Sequence, residues 1–496
     1  MQALMREAKD TETQTVSALE NTLRLRNISL DQAAQRTGVP VKDLHKLCIG
    51  DATGIRLSTL AVLCSKLDCN PDDVLQVEPK DPPASKLRGG IFRRAWDYQS
   101  RWMSIAAVFF SALISVCFLV GLVSQVNPVD FYVYHFGAGL AAAGENIYAG
   151  NIHGNDMPAE GLPFTYTPFA ALAFLPLNVL TADTAYLLWS IASAMTMGLV
   201  MRSLLPSKHR NQPVLVGIVG FLASCSIVMA SHIIFGQINV FLMALVLIDV
   251  GRNSENRILR FIPRGVLVGV AAAVKLTPAL FIVYFVVTGQ KRAALNSSMA
   301  ALTATVVAAF AYPTMSIDFA TRVLWNLSDR VSLDGLFATS GNNSIQGAFA
   351  ALGDWTAVPA QATTLIIAVL GLYAATSIFR RGGNIQAAIV VGLTACMVSP
   401  VSWMHHWVYL LPGLLVLWDH GGTKVRNFCL ASGLILVATG PNLGDVLFSL
   451  NAPALFPLAM VLRESLLLIG VCIVALLVQQ AHTRVTGPIL NESVSR

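Results

Sequence analysis

The stretch WMSIAAVFFSALISVCFLVGLVSQVNPVD, residues 102–130, decides the fold. From Trp102 to Val129 it carries no charged residue. A helix rises about 1.5 Å per residue, so an uncharged run of this length can cross the roughly 30 Å hydrocarbon core of a bilayer. The run ends on Asp130, a carboxylate placed where the chain leaves the hydrocarbon.

Outward from this run the pattern repeats. Hydrophobic residues make up 54% of the 496 and charged residues only 12%, against roughly 25% charged in soluble domains. The chain therefore reads as an all-α, polytopic membrane protein. Apolar runs recur near 103–124, 184–203, 213–230, 237–250, 265–288, 293–312, 361–379, 385–401, 406–419, 427–443 and 457–480, with a shorter one at 167–180. If 167–180 crosses the membrane, the basic segment from Arg252 to Arg264 faces outside, against the positive-inside rule. If it is re-entrant and 265–288 is a two-part hairpin broken near Pro278, the charges fit. Both readings give about twelve spans. Both leave the two termini in the cytoplasm and put 125–165 and 313–360 on the outer face of the plasma membrane. Basic residues mark the cytoplasmic loops: Arg93, Arg94 and Arg101, Lys208 to Arg210, Lys291 and Arg292, Arg380 and Arg381, Lys424 and Arg426.

The segment before the first span is different in kind. It is rich in charge, has no bilayer-length run and lacks the basic start and small-residue cleavage site of a signal peptide. NISLDQAAQRTGVPVKDLHKLCIG (27–50) offers a cap at Ser29, an apolar 3-4 pattern through Leu30, Ala33 and Ala34, a turn at Gly38 and a second helix from Val41. IRLSTLAVLCSKLDCNPDDVLQVEP (55–79) adds an amphipathic helix and a short capped one. This stretch resembles the Cro/C1-type helix-turn-helix family, which would set the helix at Val41 to Ile49 in a DNA major groove. Residues 1–85 hold ten Lys and Arg against twelve Asp and Glu, a net of −2, so the basic footprint of a phosphate-backbone binder is missing. A helical module for regulation or protein contact is the other reading. The expected organisation is a cytoplasmic domain over 1–78, a Pro/Gly linker over 79–100, a transmembrane domain over 101–482 and a cytoplasmic tail over 483–496. The eight cysteines lie in the soluble part or inside predicted spans with no C-x-x-C spacing, which argues against a disulfide frame or a zinc site.

The outer loop after the first span carries the chemistry. Asp130 is followed by Tyr132, Tyr134 and His135, then by the interfacial segment GAGLAAAGENIYAGN (137–151). LPFTYTPFAALAFLPL (162–177), with Tyr166 and Pro168, leads back toward the bilayer. A carboxylate here can take a proton from a sugar hydroxyl as a general base; equally, it can cap the helix that starts near Phe131. SHIIFGQINVFL (231–242) brings His232, Gln237 and Asn239 between two apolar runs. GVAAAVKLTPALF (269–281) puts Lys275 near mid-depth, where an ionisable group is costly and by default functional. GNNSIQGAF (341–349) adds Asn343 and Ser344 in an outer loop, and SPVSWMHHWVYLLP (399–412) sets His405 and His406 among Trp403, Trp407 and Tyr409. Taken singly, these read as an aromatic belt, a snorkelling lysine and an amide pair joining helices.

In this order the motifs resemble glycosyltransferase family 87, from residue 103 to about 480. The resemblance rests on an Asp after the first span, FTYTPF, FGQIN, GVLVGVAAAVKLTPAL, NNSIQG and SPVSWMHHW. It implies a C-type membrane enzyme of actinobacterial envelope synthesis. Such an enzyme takes mannose, or in some members arabinofuranose, from a polyprenyl-phosphate sugar, here toward a glycolipid acceptor of phosphatidylinositol mannoside or lipoglycan type. It implies inversion, with Asp130 as base and with His406, His405, Lys275 and Arg463 as candidates for the leaving phosphate. Tyr134, Tyr166, Gln237, Asn239, Asn343, Ser344 and Trp403 would line the substrate. No cofactor or metal is expected beyond the lipid-linked donor, and Asp318, Asp329 and Asp334 stand behind Asp130 as alternative bases. The amino-terminal domain departs from the family pattern. A transporter would show repeated halves, which this sequence lacks, and a membrane-tethered regulator would need a basic DNA-binding face.

Overall fold

The computed structural model describes residues 13–17, 19–25, 28–48, 55–79, 84–122, 127–154, 157–252, 261–326, 330, 341–437, 440–450 and 452–483. The expected tail, from residue 484 on, lies outside them. The chain divides into two compact units, Met1–Tyr98 and Gln99–Arg496.

In the first unit the expected helix starts are where the sequence put them. Ser29 Oγ accepts the Gln32 amide at 3.2 Å while Gln32 Oε1 accepts the Ser29 amide at 3.0 Å, a reciprocal cap for helix Leu30–Thr37. That helix stops at Gly38, which sits in the left-handed region at φ 71°. Helices Val41–Cys48 and Leu57–Leu67 follow, and Asn70 opens the short helix Pro71–Val74. Leu19, Leu23, Ala33, Leu44, Leu63 and Val74 form the core. One element departs from the all-α expectation. Strand Thr13–Ser17 pairs antiparallel with Leu75–Pro79, joining two five-residue segments too far apart in sequence for any local signal. Residues 84–100, expected as linker, lie within helix Ala84–Leu122.

The second unit is helical apart from a two-residue ladder, Asn151–Ile152 against Leu162–Pro163. Five of its helices are long and apolar enough to cross a membrane: Gln99–Gly121, Ala182–Leu204, Lys291–Ala311, Ala357–Arg380 and Ser465–Thr483. Two bent pairs bring the number to seven: Pro213–Ser224 with Ile227–Phe235, at 68°, and Thr423–Val437 with Gly440–Ser449, at 62°. The remaining apolar runs of the sequence appear as shorter helices, among them Asn239–Gly251, Asn384–Val398 and Leu410–His420. The run 265–288 is broken: helix Val266–Val274 ends before Lys275, a 3-10 turn covers Thr277–Ala279, and helix Leu280–Val287 resumes. Apolar periodicity counts hydrophobic runs, whereas crossing length needs an unbroken helix. Hence about twelve runs become five to seven full-length candidates among the described residues.

Helix Ala357–Arg380 leaves Leu365 67% and Tyr373 74% exposed along an apolar flank, as a lipid-facing helix does and a water-facing one does not. This is a multi-pass membrane protein. One buried charge is tied down on several sides. Asp249, fully buried, accepts the amides of Gly265 (3.0 Å) and Val268 (3.1 Å) and pairs with Arg252 at 2.5 Å, which pins the end of helix Asn239–Gly251 to the start of Val266–Val274.

Candidate active site

Asp130 lies in the first turn of helix Val129–Ala142, but the N-cap is Pro128 and no side chain caps it. The carboxyl is therefore not spent as a cap. It lies instead beside the Gln237 side-chain amide, which favours its charged form, and within electrostatic reach of Lys275. This helix follows the first span and stands outside the membrane-crossing segments. Desolvation among its aromatic neighbours pushes the Asp130 carboxyl up to about 6, against the smaller opposing pull of Gln237 and Lys275.

Gln237 is the hub. Its Oε1 receives Tyr134 OH at 3.2 Å, Tyr166 OH at 3.4 Å and Asn239 Nδ2 at 3.2 Å, and the two tyrosine hydroxyls meet at 2.6 Å. Lys275 Nζ donates to Asn239 Oδ1 at 3.0 Å, lies 3.3 Å from His406 Nε2 and sits 5.2 Å from the Tyr166 ring centroid. An ammonium has only donors to offer, so His406 Nε2 accepts and the ring's own N–H is at Nδ1. Asn239 Nδ2 also reaches the His405 carbonyl at 3.2 Å, and Ser231 Oγ lies 3.3 Å from His405 Nδ1. A continuous polar chain thus runs from Asp130 through Gln237 and Asn239 to Lys275 and His406. At its Lys275 end it opens on a cavity lined by Asn239, Lys275, Cys396, Ser402, His406 and Tyr409.

The sequence breaks its helices at these residues for physical reasons. Gly236 adopts φ 70°, and a Cβ there would overlap the Phe131 side chain, so only glycine lets the Gly236–Asn239 turn close against the residue next to Asp130. Thr167 caps helix Pro168–Phe174, and its hydroxyl also donates to the Ala273 carbonyl, a group left over where helix Val266–Val274 ends before Lys275. Tyr134 stacks on Phe174 at 4.5 Å, and Trp189 Nε1 holds the Gln237 carbonyl at 3.0 Å.

Eight residues expected at a site therefore come together: Asp130, Tyr134, Tyr166, Gln237, Asn239, Lys275, His405 and His406. Asn343 and Ser344 join differently. The Asn343 amide donates to the Ser402 carbonyl at 2.8 Å and Ser344 Oγ to the Pro400 carbonyl at 3.1 Å, which staples the loop to the turn before the histidines. Trp403 stands half-buried at the N-cap of that turn. Arg463 is not brought to the chain; its Nε lies 3.4 Å from Glu464 in a separate buried pair. Asp318 is paired with Arg322 at 2.7 Å and receives Asn146 at 3.0 Å, which holds its carboxyl below the ordinary range and makes it a poor base. Asp329 and Asp334 lie outside the described residues. Sequence reasoning missed Thr167, Trp189 and Ser231; only Thr167, directly before Pro168, carried the local signature of a helix cap.

Among the described residues no group of three or more His, Cys, Asp or Glu is arranged to hold a metal ion. The arrangement offers a half-buried carboxylate at one end and a half-buried ammonium at the other, with aromatic rings between. Such a site can take up a proton at Asp130 and stabilise a departing anion at Lys275.

No solved structure matches the chain. A family model for glycosyltransferase family 87 matches residues 164–400, and one for the Cro/C1-type HTH DNA-binding domain matches 18–80. A polyprenol-phosphate-mannose-dependent alpha-(1-2)-phosphatidylinositol mannoside mannosyltransferase of Mycobacterium tuberculosis is 32% identical over 342 residues, covering 63% of this chain and 76% of that protein. A pentamannoside-directed relative from another strain of that species is 32% identical over 312 residues, 59% of this chain and 66% of its own. An uncharacterised HTH-type transcriptional regulator of Bacillus subtilis is 39% identical over 54 residues, 11% of this chain and 64% of its own. With three-quarters of a family member's length matched and the motifs gathered at one site, the chain belongs to glycosyltransferase family 87, a membrane glycosyltransferase that carries a Cro/C1-type helix-turn-helix domain at its amino-terminal end.

Proposed function

We propose that this enzyme moves mannose from polyprenyl-phosphate mannose to a lipid-linked mannoside of phosphatidylinositol mannoside or lipoglycan type, at the outer face of the plasma membrane and with inversion. Asp130 removes the proton from the acceptor hydroxyl as its oxygen bonds to the anomeric carbon. The bond from that carbon to the phosphate oxygen breaks, and the polyprenyl phosphate leaves as an anion beside Lys275 and His406. A β-linked donor then yields an α product. The observation that carries this reading is the polar chain from Asp130 to Lys275, which sets a base and a cation at opposite ends of one site. The names of the relatives favour mannose over arabinofuranose as the sugar. Both substrates keep their tails in hydrocarbon while their heads meet at the interface, which accounts for a base at the end of a span. Membranes containing the enzyme, given labelled polyprenyl-phosphomannose, are expected to form a labelled mannolipid; label in no lipid product would remove this reading.

His406, and His405 behind it, contribute to the donor side. Replacing both with Ala is expected to lower turnover by on the order of 100-fold; rates within a few-fold of the parent would take the histidines out of the reaction.

The amino-terminal module stands apart from this chemistry. Its capped helices carry their own core, and we infer that deletion of residues 1–85 leaves transfer within a few-fold of the full chain. Loss of transfer from a truncated protein that still elutes as a folded species would show that the module takes part.

A further inference from the structure

Helix Asn239–Gly251 begins without a side-chain cap of its own: Ile238 occupies the N-cap position and offers none. The first amides of a helix need acceptors from elsewhere, and here one comes from the preceding helix. His232, fully buried on helix Ile227–Phe235, accepts the Val240 amide on its Nε2 at 3.1 Å, while its backbone carbonyl accepts the Gln237 amide at 2.9 Å. One residue thus grips the turn from both sides. An imidazole nitrogen that accepts carries no proton, so the ring's N–H is at Nδ1, and Nδ1 finds no protein partner among the described residues. The grip on Val240 is the hydrogen bond this side chain makes to the protein.

Between those two bonds lies the Gly236–Asn239 turn, pressed by Gly236 against Phe131, the neighbour of Asp130. Its two polar side chains divide the work of the site. Gln237 lies beside the Asp130 carboxylate and favours its charged form, and Asn239 holds Lys275. We infer that His232 is a positioning residue for transfer: its ring caps the following helix and fixes the turn, so that Gln237 stays on Asp130 and Asn239 stays on Lys275.

The inference rests on the function proposed above for Asp130 and Lys275, and it is tested with two readouts that separate the ideas. His232→Leu keeps bulk and removes the acceptor, whereas His232→Gln can bring Oε1 to the place of Nε2. In hydrogen–deuterium exchange of the full-length protein in detergent, the peptide holding Gln237 to Val240 is expected to exchange faster in His232→Leu and to return toward the parent in His232→Gln. In the transfer assay, His232→Leu is expected to lower kcat about 100-fold, the scale of a small misplacement at a reacting centre, with little change in donor KM. His232→Gln is expected to recover most of that rate. Misplacing Gln237 also removes a partner that favours the charged carboxylate, so the acid limb of the rate profile should move to higher pH in His232→Leu. The groups that face Asp130 there are Lys275, Tyr134 and Tyr166. If Leu and Gln lower the rate equally while exchange is restored by Gln, His232 is a structural cap that does not position the site. If exchange is unchanged in Leu, the grip itself is absent. If the parent enzyme transfers nothing from the mannose donor, the functional reading fails while the exchange result still decides the grip.

Discussion

Asp130→Asn is expected to abolish nearly all transfer while the protein still folds, inserts and binds its donor. Asn keeps the shape of the side chain, but it cannot accept a proton. General-base contributions run to roughly 100–10,000-fold, whereas a weakened helix cap costs about 1 kcal/mol of stability and little rate. Pro128 holds the N-cap position and no side chain caps this helix, so the substitution reports on chemistry. Because desolvation raises the Asp130 carboxyl to about 6, that carboxyl is charged above this value and neutral below it. The rate of the parent enzyme should therefore fall as pH drops through about 6, and this limb should vanish in the residual activity of Asp130→Asn. Near-normal turnover of labelled donor by the Asn variant would leave Asp130 without a catalytic role.

Lys275→Met is expected to lower kcat by about 100- to 1,000-fold, the scale seen when one donor to a developing anion is removed. Met matches the length of the lysine stem and suits the apolar wall formed by Phe281 and Met243, so folding should survive. Lysine here is held by Asn239 and His406, and its charge is the formal positive charge on the polar chain. Lys275→Arg is the informative companion: it keeps the charge but not the compact ammonium, and should retain more rate than Met. Equal turnover in Met and parent, measured at saturating donor, would place the leaving phosphate elsewhere.

Much of the fold was legible because a bilayer enforces a simple rule. Unpaired backbone in hydrocarbon is costly, so apolar runs become helices, and the stretch 102–130 was sufficient to say that this chain lives in a membrane. The first unit was legible for a local reason too: Ser29, Gln32 and Gly38 settle their helix ends through neighbours three or four residues away. The strand pair Thr13–Ser17 with Leu75–Pro79 was not, because its signal lies in the pairing and not in either segment.

At the site the division follows the same line. Residue types out of place in apolar surroundings, such as Asp130, Lys275 and the histidine pair, mark themselves in the sequence, since each needs a reason to be there. Which of them meet is decided by helix breaks and packing. Arg463 looked equivalent to Lys275 as a cation in an apolar run, yet its neighbour Glu464 keeps it in a separate pair. Gln237 looked like one half of a helix-joining amide pair, yet it became the hub because Gly236 lets its turn close on Phe131 and His232 holds that turn in place. The sequence by itself determined a helical membrane protein with a charged residue at the end of its first span. Only the tertiary structure decided that this carboxylate faces Lys275 through Gln237 and Asn239, because contacts between residues over a hundred positions apart are written in packing and not in any local pattern of side chains.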